Sequence, residues 1–538
     1  MPKNIIICSD GTGNTAIKGR GTNVFKMFEA IDLNGHRTNP ALDPQVAFYD
    51  DGVGTETFLP LKLLGGAFGF GLAKNVRYLY MDLVRVYDPG DRIYLFGFSR
   101  GAFTVRTLAG IIAKCGVLDR DKLPTSDALR AAVAKTYRTY RRSYRTWLGA
   151  LLNRILVRLR LRRPDPDAMN DFKKAHSIPG GVRIRFIGVW DTVDAVGGPF
   201  QTADVINAVF HRFKFPDQRL SDQVDWAVQA LSIDEARADF QPVLWEASPR
   251  VEQVWFAGVH SNVGGGYPKQ GMSLVTLDWM MQKAQERDLR ILSDDRKNYW
   301  EHGSADDKLY DSRAGLGVFY RWKPRDMQKL CEQQKAAMPP AIHLSVLERI
   351  AHGTDGYSPG SLAPNADVVF TASNDPDPAV AAGQDAAVAV RAHAAKAAVD
   401  AALTRSGSDL EQVRGTVAIG RFAYYLYVLC LLAVVLAASV PAGAGSRRNP
   451  WIAVKNAGTP VYDTVTGQWG PVFSSVERLF TDPKLIGTLV AGFAVAGALA
   501  YYVDHKRSLV FSRYWHDARQ DLRAALKSAR SAMLSGRA

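Results

Sequence analysis

Five short apolar runs constrain this chain more than any other feature. "NIIIC" (4–8), "QVAFYD" (45–50), "RIYLFGF" (92–98), "VRIRFIGVW" (182–190) and "VEQVWFAGV" (251–259) all fall in the first half of the sequence, and each stops at or near Gly, Asp or Ser. Runs so rich in Ile, Val, Phe and Trp read as strands buried on both faces, which a parallel sheet covered by helices on each side provides. The longer stretches between them carry helical spacing, as right-handed crossovers require. The expected fold class is therefore α/β, with a mostly parallel sheet and its ligand site beyond the carboxyl ends of the strands.

At one such end stands "LFGFSRGAF". Gly97-Phe98-Ser99-Arg100-Gly101 fits G-x-S-x-G, with "DRIYLF" as the strand before it and "RGAFTVRTLAGIIAKCG" as the helix after it. Small residues on either side of a serine let the chain turn sharply and hold the hydroxyl clear of the sheet, with the Arg100 amide facing a possible oxyanion. Ser99 is thus a candidate nucleophile in an α/β-hydrolase-like sheet, against the plainer reading of a polar residue in a tight turn.

Such a serine needs a base, and the base needs a carboxylate to orient it. Of ten histidines only His260 follows directly on a strand-like run and enters a glycine-rich loop, "SNVGGGYP"; the plainer reading is a histidine satisfied in its loop. In "RFIGVWDTVDAVGG", Asp191 sits at a strand tip and is the better placed acid, whereas Asp194 suits a helix cap or a supporting role. The opening "IIICSDGTGN" adds a second glycine-bearing turn, whose Gly11 and Thr12 amides can serve an oxyanion while Asp10 braces the loop. It is also similar to the D-x-D-G-T of phosphoryl-transferring aspartate enzymes, but Cys8 replaces the first aspartate, which argues against an aspartyl-phosphate route.

In this order, and each at a strand end, "SDGTGN", "GFSRGAF", "GVWDTV" and "WFAGVHSNVGGGYP" resemble the bacterial type VI secretion phospholipase effectors and related hydrolase domains over roughly residues 3–285. The resemblance implies a domain that cleaves phospholipid acyl esters, with Ser99, Asp191 and His260 on the family's triad motifs. It also raises the prospect of a cognate immunity protein as partner. Gly13 stands where the family commonly has tryptophan, and Asn262 where it commonly has aspartate.

Charge narrows the partners. The net charge is +14, and ten basic residues with no acidic one crowd "KTYRTYRRSYRTWLGALLNRILVRLRLRR" (135–163). Arg141, Arg142, Arg145 and Trp147 fit a basic interfacial helix on anionic lipid; the alternative is a solvated helix packing its apolar side on the domain. No nucleic-acid motif accompanies it, so no nucleic acid is expected. Cys8, Cys115, Cys331 and Cys430 are scattered without a C-x-x-C pair, and neither a disulfide framework, a metal site nor a cofactor is expected.

Residues 422–440 and 485–503 are uncharged over about 19 residues each, near the ~20 a helix needs to cross a bilayer. Tyrosines stand near their boundaries. Both read as transmembrane spans, or else as buried core helices. The expected organisation is a catalytic domain at 1–371 with the basic insertion 135–163, a linker or stalk at 372–415, a hairpin at 416–503 and a basic tail at 504–538. Residues 286–371, with "DSRAGLGVFYRWKPRDM", read as helices and loops roofing the site. The basic excess after the second span places the tail and the catalytic domain in the cytoplasm at the inner membrane; delivery into a target-cell envelope is the alternative. The function expected is that of a serine esterase or phospholipase, the alternative a catalytically degenerate membrane-anchored sensor or scaffold.

Overall fold

The apolar runs are strands because their side chains divide between two cores. In the computed structural model, residues 2–11, 21–52, 66–142, 168–193, 218–314, 320, 322–363, 365–373, 378–405, 416, 419–420, 422–431, 433 and 483–534 are described. On β1 (Asn4–Ser9), Ile5 and Ile7 enter one apolar cluster while Ile6 and Cys8 enter the other. On β3 (Arg92–Phe98) the same alternation sends Ile93 and Leu95 one way and Tyr94, Phe96 and Phe98 the other. A strand that packs on both faces cannot alternate apolar with polar, which is why these runs are continuous. Helices Gly66–Val86, Arg100–Cys115, Ser126–Arg142 and Ala168–His176 cover the first cluster. Asn23–Glu29 and Gly271–Gln285 cover the second.

With β2 (Gln45–Asp50), β4 (Ile184–Trp190), β5 (Ala227–Ser232), β6 (Val251–Phe256), β7 (Ala341–His343) and β8 (Asp367–Val369), the sheet has eight strands in the order β2-β1-β3-β4-β5-β6-β7-β8. Each neighbouring pair is parallel. The order switches direction between β1 and β3, so the carboxyl ends of those two strands flank the crevice that such sheets use for ligands.

Four strands differ from expectation. β5, "AVQALS", is wholly buried although Gln229 interrupts it; the Gln229 side chain is satisfied by Thr192, Val243 and Gln253. β7 and β8 come from the segment expected to hold only helices and loops, and extend the sheet past β6. The run 251–259 stops as a strand at Phe256, and Gly258 then turns the chain at φ 111°.

Contacts divide the chain into two units, Met1–Arg405 with Trp515–Ala538, and Ser406–Tyr514. Within the first, the expected linker at 372–415 is, over Pro378–Arg405, a helix that buries Ala392, Ala395 and Val399 and pairs Arg391 with Glu348. Its small side chains let it lie close to the domain. Within the second, Ile486–Val510 has a mean hydropathy of 1.8 and is the one stretch among the described residues long and apolar enough to cross a membrane. Phe422–Leu431 is a shorter apolar helix, and residues 434–440 of the expected first span lie outside the described residues. The two helices touch at Tyr427 and Phe493, whose rings meet edge-on at 5.4 Å, and at Gly492, where a Cβ would lie 2.5 Å from Cys430 Sγ. The expected basic tail continues the second apolar stretch as one helix, Pro483–Leu534. From Trp515 onward it belongs to the first unit: the Trp515 indole is fully buried and donates to Pro359 O at 2.9 Å, and Arg519 donates to Tyr357 O at 2.7 Å.

Candidate active site

Ser99 occupies the turn between β3 and helix Arg100–Cys115 at φ 58°, ψ −121°. Non-glycine residues adopt such backbone only where the surroundings impose it. Here its amide donates to Trp190 O at 3.0 Å. A Cβ at Gly97 would come within 2.7 Å of the Ala102 backbone, and one at Gly101 would run into the carbonyls of Ser9 and Asp10. Both glycines of the motif are thus explained by close backbone approach, the second because the helix starts against the end of β1. Ser99 is 5% exposed.

Asp191 follows β4 directly, with φ 42°, and is fully buried. Its carboxylate accepts from the Ser232 amide (3.1 Å) and hydroxyl (3.3 Å) at the end of β5, from Arg325 Nη1 (2.6 Å) and Nη2 (2.8 Å), and from His260 Nδ1 (2.6 Å). Burial by itself would raise the carboxyl. The Arg325 charge and the hydrogen bonds from His260 and Arg325 outweigh it and hold Asp191 well below the usual carboxylate range.

His260 opens the short helix His260–Gly264 after β6. Its ring lies 4.6 Å from that of Phe98, the residue before Ser99, and edge-on to Phe240 at 5.0 Å. With Nδ1 donating to Asp191, Nε2 is the bare acceptor, and this buried nitrogen has no hydrogen-bond partner among the described residues. No hydrogen bond to Ser99 Oγ is formed; contacts between such groups are commonly long without substrate. Burial pushes the imidazole below the ordinary histidine value, against the opposing pull of Asp191.

The glycine-rich loop after His260 is fastened to the elbow from the side of β1. Gly264 packs on the Phe98 ring, Gly265 bridges to Thr22, and Asn23 Nδ2 donates to Val263 O (2.9 Å), Ser273 O (2.8 Å) and Thr276 Oγ1 (2.9 Å). Asp10 accepts from the Thr22 hydroxyl (2.5 Å), the Tyr49 hydroxyl (2.7 Å) and the Gly11 amide (2.6 Å). The Gly11 amide therefore points at Asp10, which contradicts the expectation that it faces an oxyanion: the buried carboxylate competes for that donor. Asn262 holds the turn around His260, accepting from Val259 N (3.3 Å) and donating to Lys308 O (3.0 Å).

Arg100 opens the elbow helix, and its carbonyl accepts from Thr104 Oγ1 at 3.1 Å. Helix Ser126–Arg142 carries the first part of the basic stretch, buries Val133, Thr136 and Tyr140, and exposes Lys135 and Arg138. This portion packs its apolar side on the domain, the second of the two readings for it; Arg141 and Arg142 end that helix. Thr12, Asp194, Arg145 and Trp147 lie outside the described residues.

Sequence reasoning missed Arg325, Ser232, Glu235, Arg237 and Phe240. Glu235 is fully buried, takes the His260 amide at 3.3 Å and pairs with Arg237, whose guanidinium lies 3.5 Å over Phe240. Arg325 reaches Asp191 across 134 positions of sequence. No local spacing encodes such a pairing.

Among known proteins, the chain is 28% identical over 267 residues to the uncharacterized protein YEL023C of Saccharomyces cerevisiae, covering 47% of this chain and 34% of that one. The chain thus spans about a third of the length of that curated relative. Among solved structures, one of the Tle1 effector bound to the VgrG spike from the type 6 secretion system matches 63% of this chain and 84% of its own, with TM-score 0.33 and 15% identity. An uncharacterized protein from Pseudomonas aeruginosa matches 98% of this chain and 66% of its own, with TM-score 0.31 and 15% identity. The family model described as "T6SS, Phospholipase effector Tle1-like, catalytic domain" matches residues 3–283, which hold β1 to β6, the elbow and the Asp191–His260 pair, and the chain belongs to that family.

Proposed function

We propose that this protein is a serine hydrolase of phospholipid acyl esters, with a phospholipase A-type outcome. Ser99 Oγ attacks the acyl carbonyl carbon as His260 Nε2 takes the hydroxyl proton, and Asp191 holds the imidazole in the tautomer that leaves Nε2 bare. Collapse of the tetrahedral adduct passes that proton to the departing lysophospholipid alcohol. Water then cleaves the acyl-serine by the same proton path, releasing fatty acid and restoring Ser99. The Arg100 amide, at the start of the elbow helix, serves the oxyanion.

The observation that carries this reading is the 2.6 Å contact from His260 Nδ1 to a buried Asp191, with Nε2 unpartnered among the described residues and the ring tilted against that of Phe98, the residue before Ser99. Family membership supports the lipid substrate. We further infer a catalytic domain over 1–371 and membrane attachment through 422–440 and the helix beyond 485. Phe422, Leu429, Val490, Val495 and Tyr501 are exposed on these apolar helices, as lipid-facing residues would be. Attachment at the inner membrane with the domain cytoplasmic follows from the basic flank; a cognate immunity protein is a further proposed partner. The test is hydrolysis of a p-nitrophenyl short-chain ester and of phospholipid vesicles by the full chain in detergent. Ser99→Ala is expected to lose both activities with its melting temperature unchanged. Wild-type turnover in that variant would end the proposal.

A further inference from the structure

The strongest unassigned feature of the site is a second cation-carboxylate contact behind the Asp191–His260 pair. Arg325 follows Pro324 just before helix Met327–Gln334, and its side chain is fully buried. Nη1 donates to Asp191 Oδ1 (2.6 Å), Ser232 O (2.7 Å) and Ser232 Oγ (2.7 Å); Nη2 donates to Asp191 Oδ2 (2.8 Å) and to Phe240 O. The guanidinium fork therefore spans both carboxylate oxygens while anchored to the end of β5 and to the loop that presents Phe240 to His260. A planar fork fixes the plane of the carboxylate it grips, which a point charge does not.

Arginine at this place does more than fill space. Arg325 Nη2 and the Ser232 hydroxyl both occupy Asp191 Oδ2 beside His260 Nδ1–H, so the plane that the fork imposes on the carboxylate bears on the direction from which the imidazole is held. It also neutralises an anion that would otherwise stabilise the imidazolium strongly in a buried setting. The charged groups facing His260 are Asp191, Glu235 and Arg237; Arg325 faces Asp191, Glu235 and Asp234. Glu235 is already bound by Arg237 through two nitrogens (2.9 and 2.8 Å) and by Ser312 (2.9 Å), and Asp234 by the Gly258 amide (2.6 Å) and the Tyr357 hydroxyl (2.9 Å). Asp191 is the carboxylate that the Arg325 fork grips.

We propose that Arg325 is a positioning residue of this site, which orients the Asp191 carboxylate toward His260 Nδ1 and offsets its charge. The proposal rests on the reading of Ser99, His260 and Asp191 as the reacting set, and its test keeps the two apart. Turnover of a soluble p-nitrophenyl ester by the full chain is measured from pH 4.5 to 9 for wild type, Arg325→Met, Arg325→Lys, Ser99→Ala and His260→Ala, with the rates of wild type and the two Arg325 variants normalised to the p-nitrophenol burst and those of the other two to protein concentration.

In Arg325→Met, Asp191 loses its cation and stabilises imidazolium more, so the acidic limb of kcat/KM is expected to move up by about one pH unit, with kcat per active site falling at least tenfold. Arg325→Lys keeps charge in the cavity but loses the fork. Its limb is expected near the wild-type position, with kcat still reduced several-fold. A purely structural arginine would lower the burst amplitude and leave both limb and kcat per site unchanged; that result overturns the proposal, and so does wild-type kcat in Arg325→Lys. If Arg325→Met gives no folded protein, the lysine variant alone decides. Retained turnover in Ser99→Ala or His260→Ala would instead refute the reacting set itself, whatever the Arg325 variants do.

Discussion

Replacing Asp191 by asparagine separates what the carboxylate does for the fold from what it does for the chemistry. The wild-type group accepts five hydrogen bonds, from the Ser232 amide and hydroxyl, both Arg325 nitrogens and His260 Nδ1. Asparagine offers one acceptor oxygen and an NH2 in place of the other. If the NH2 takes the place of Oδ2, it meets His260 Nδ1 and forces the ring into the tautomer with hydrogen on Nε2, which leaves no lone pair for the Ser99 proton. In either placement the NH2 also opposes one nitrogen of the buried Arg325 fork, which grips both oxygens. Leaving one partner of a buried ion pair without the other costs about 3–5 kcal/mol. That lies below the roughly 5–15 kcal/mol that holds typical domains folded, so a weakened native protein is expected. Loss of the productive tautomer is worth on the order of 10⁴ in kcat where such a carboxylate has been replaced in a serine hydrolase. The assay pairs urea denaturation with steady-state hydrolysis of a soluble ester. A variant that keeps kcat within tenfold of wild type would refute the assignment of Asp191 as the orienting acid, whatever its stability.

Three further outcomes are expected. Because Asp191 is held below its unfolded value of about 3.9, its ion pair contributes stability in full above that pH and loses it as pH falls through the lower folded value; urea midpoints between pH 2 and 6 should drop at the acid end in wild type and more shallowly in Asp191→Asn. Trp515→Ala removes a fully buried indole and its bond to Pro359, and a loss of about 3–5 kcal/mol should appear as earlier unfolding and as new protease cleavage between residues 505 and 525; an unchanged cleavage pattern would mean the helix is held elsewhere. Replacing Arg141, Arg142 and Arg145 by glutamine should lower hydrolysis of anionic vesicles severalfold while sparing a soluble ester, and added salt should imitate it. Equal loss on both substrates would assign the stretch to packing alone.

The parts legible in the sequence are those whose cause is local. Continuous apolar runs marked β1 to β4 and β6, because a strand packed on both faces has nowhere to place polar residues. Gly97 and Gly101 marked the elbow, because a Cβ at either would collide with backbone. Ser99, Asp191 and His260 were each visible as polar residues at strand ends. β5 was hidden by Gln229, which is tolerable in a core only because three partners from other segments satisfy it. β7 and β8 are three residues each, too short for periodicity to register. The role of Arg325 could not be read at all, since an arginine beside proline in a loop looks like any solvated cation until the fold brings it 134 positions back to Asp191. The orientation of the Gly11 amide was likewise decided by the tertiary structure, which places Asp10 within reach of it. Sequence alone thus determined which residues could do chemistry and where the sheet ran. Which of them are paired, neutralised or already committed depended on long-range packing, because a buried charge takes its properties from neighbours that only the folded chain brings to it.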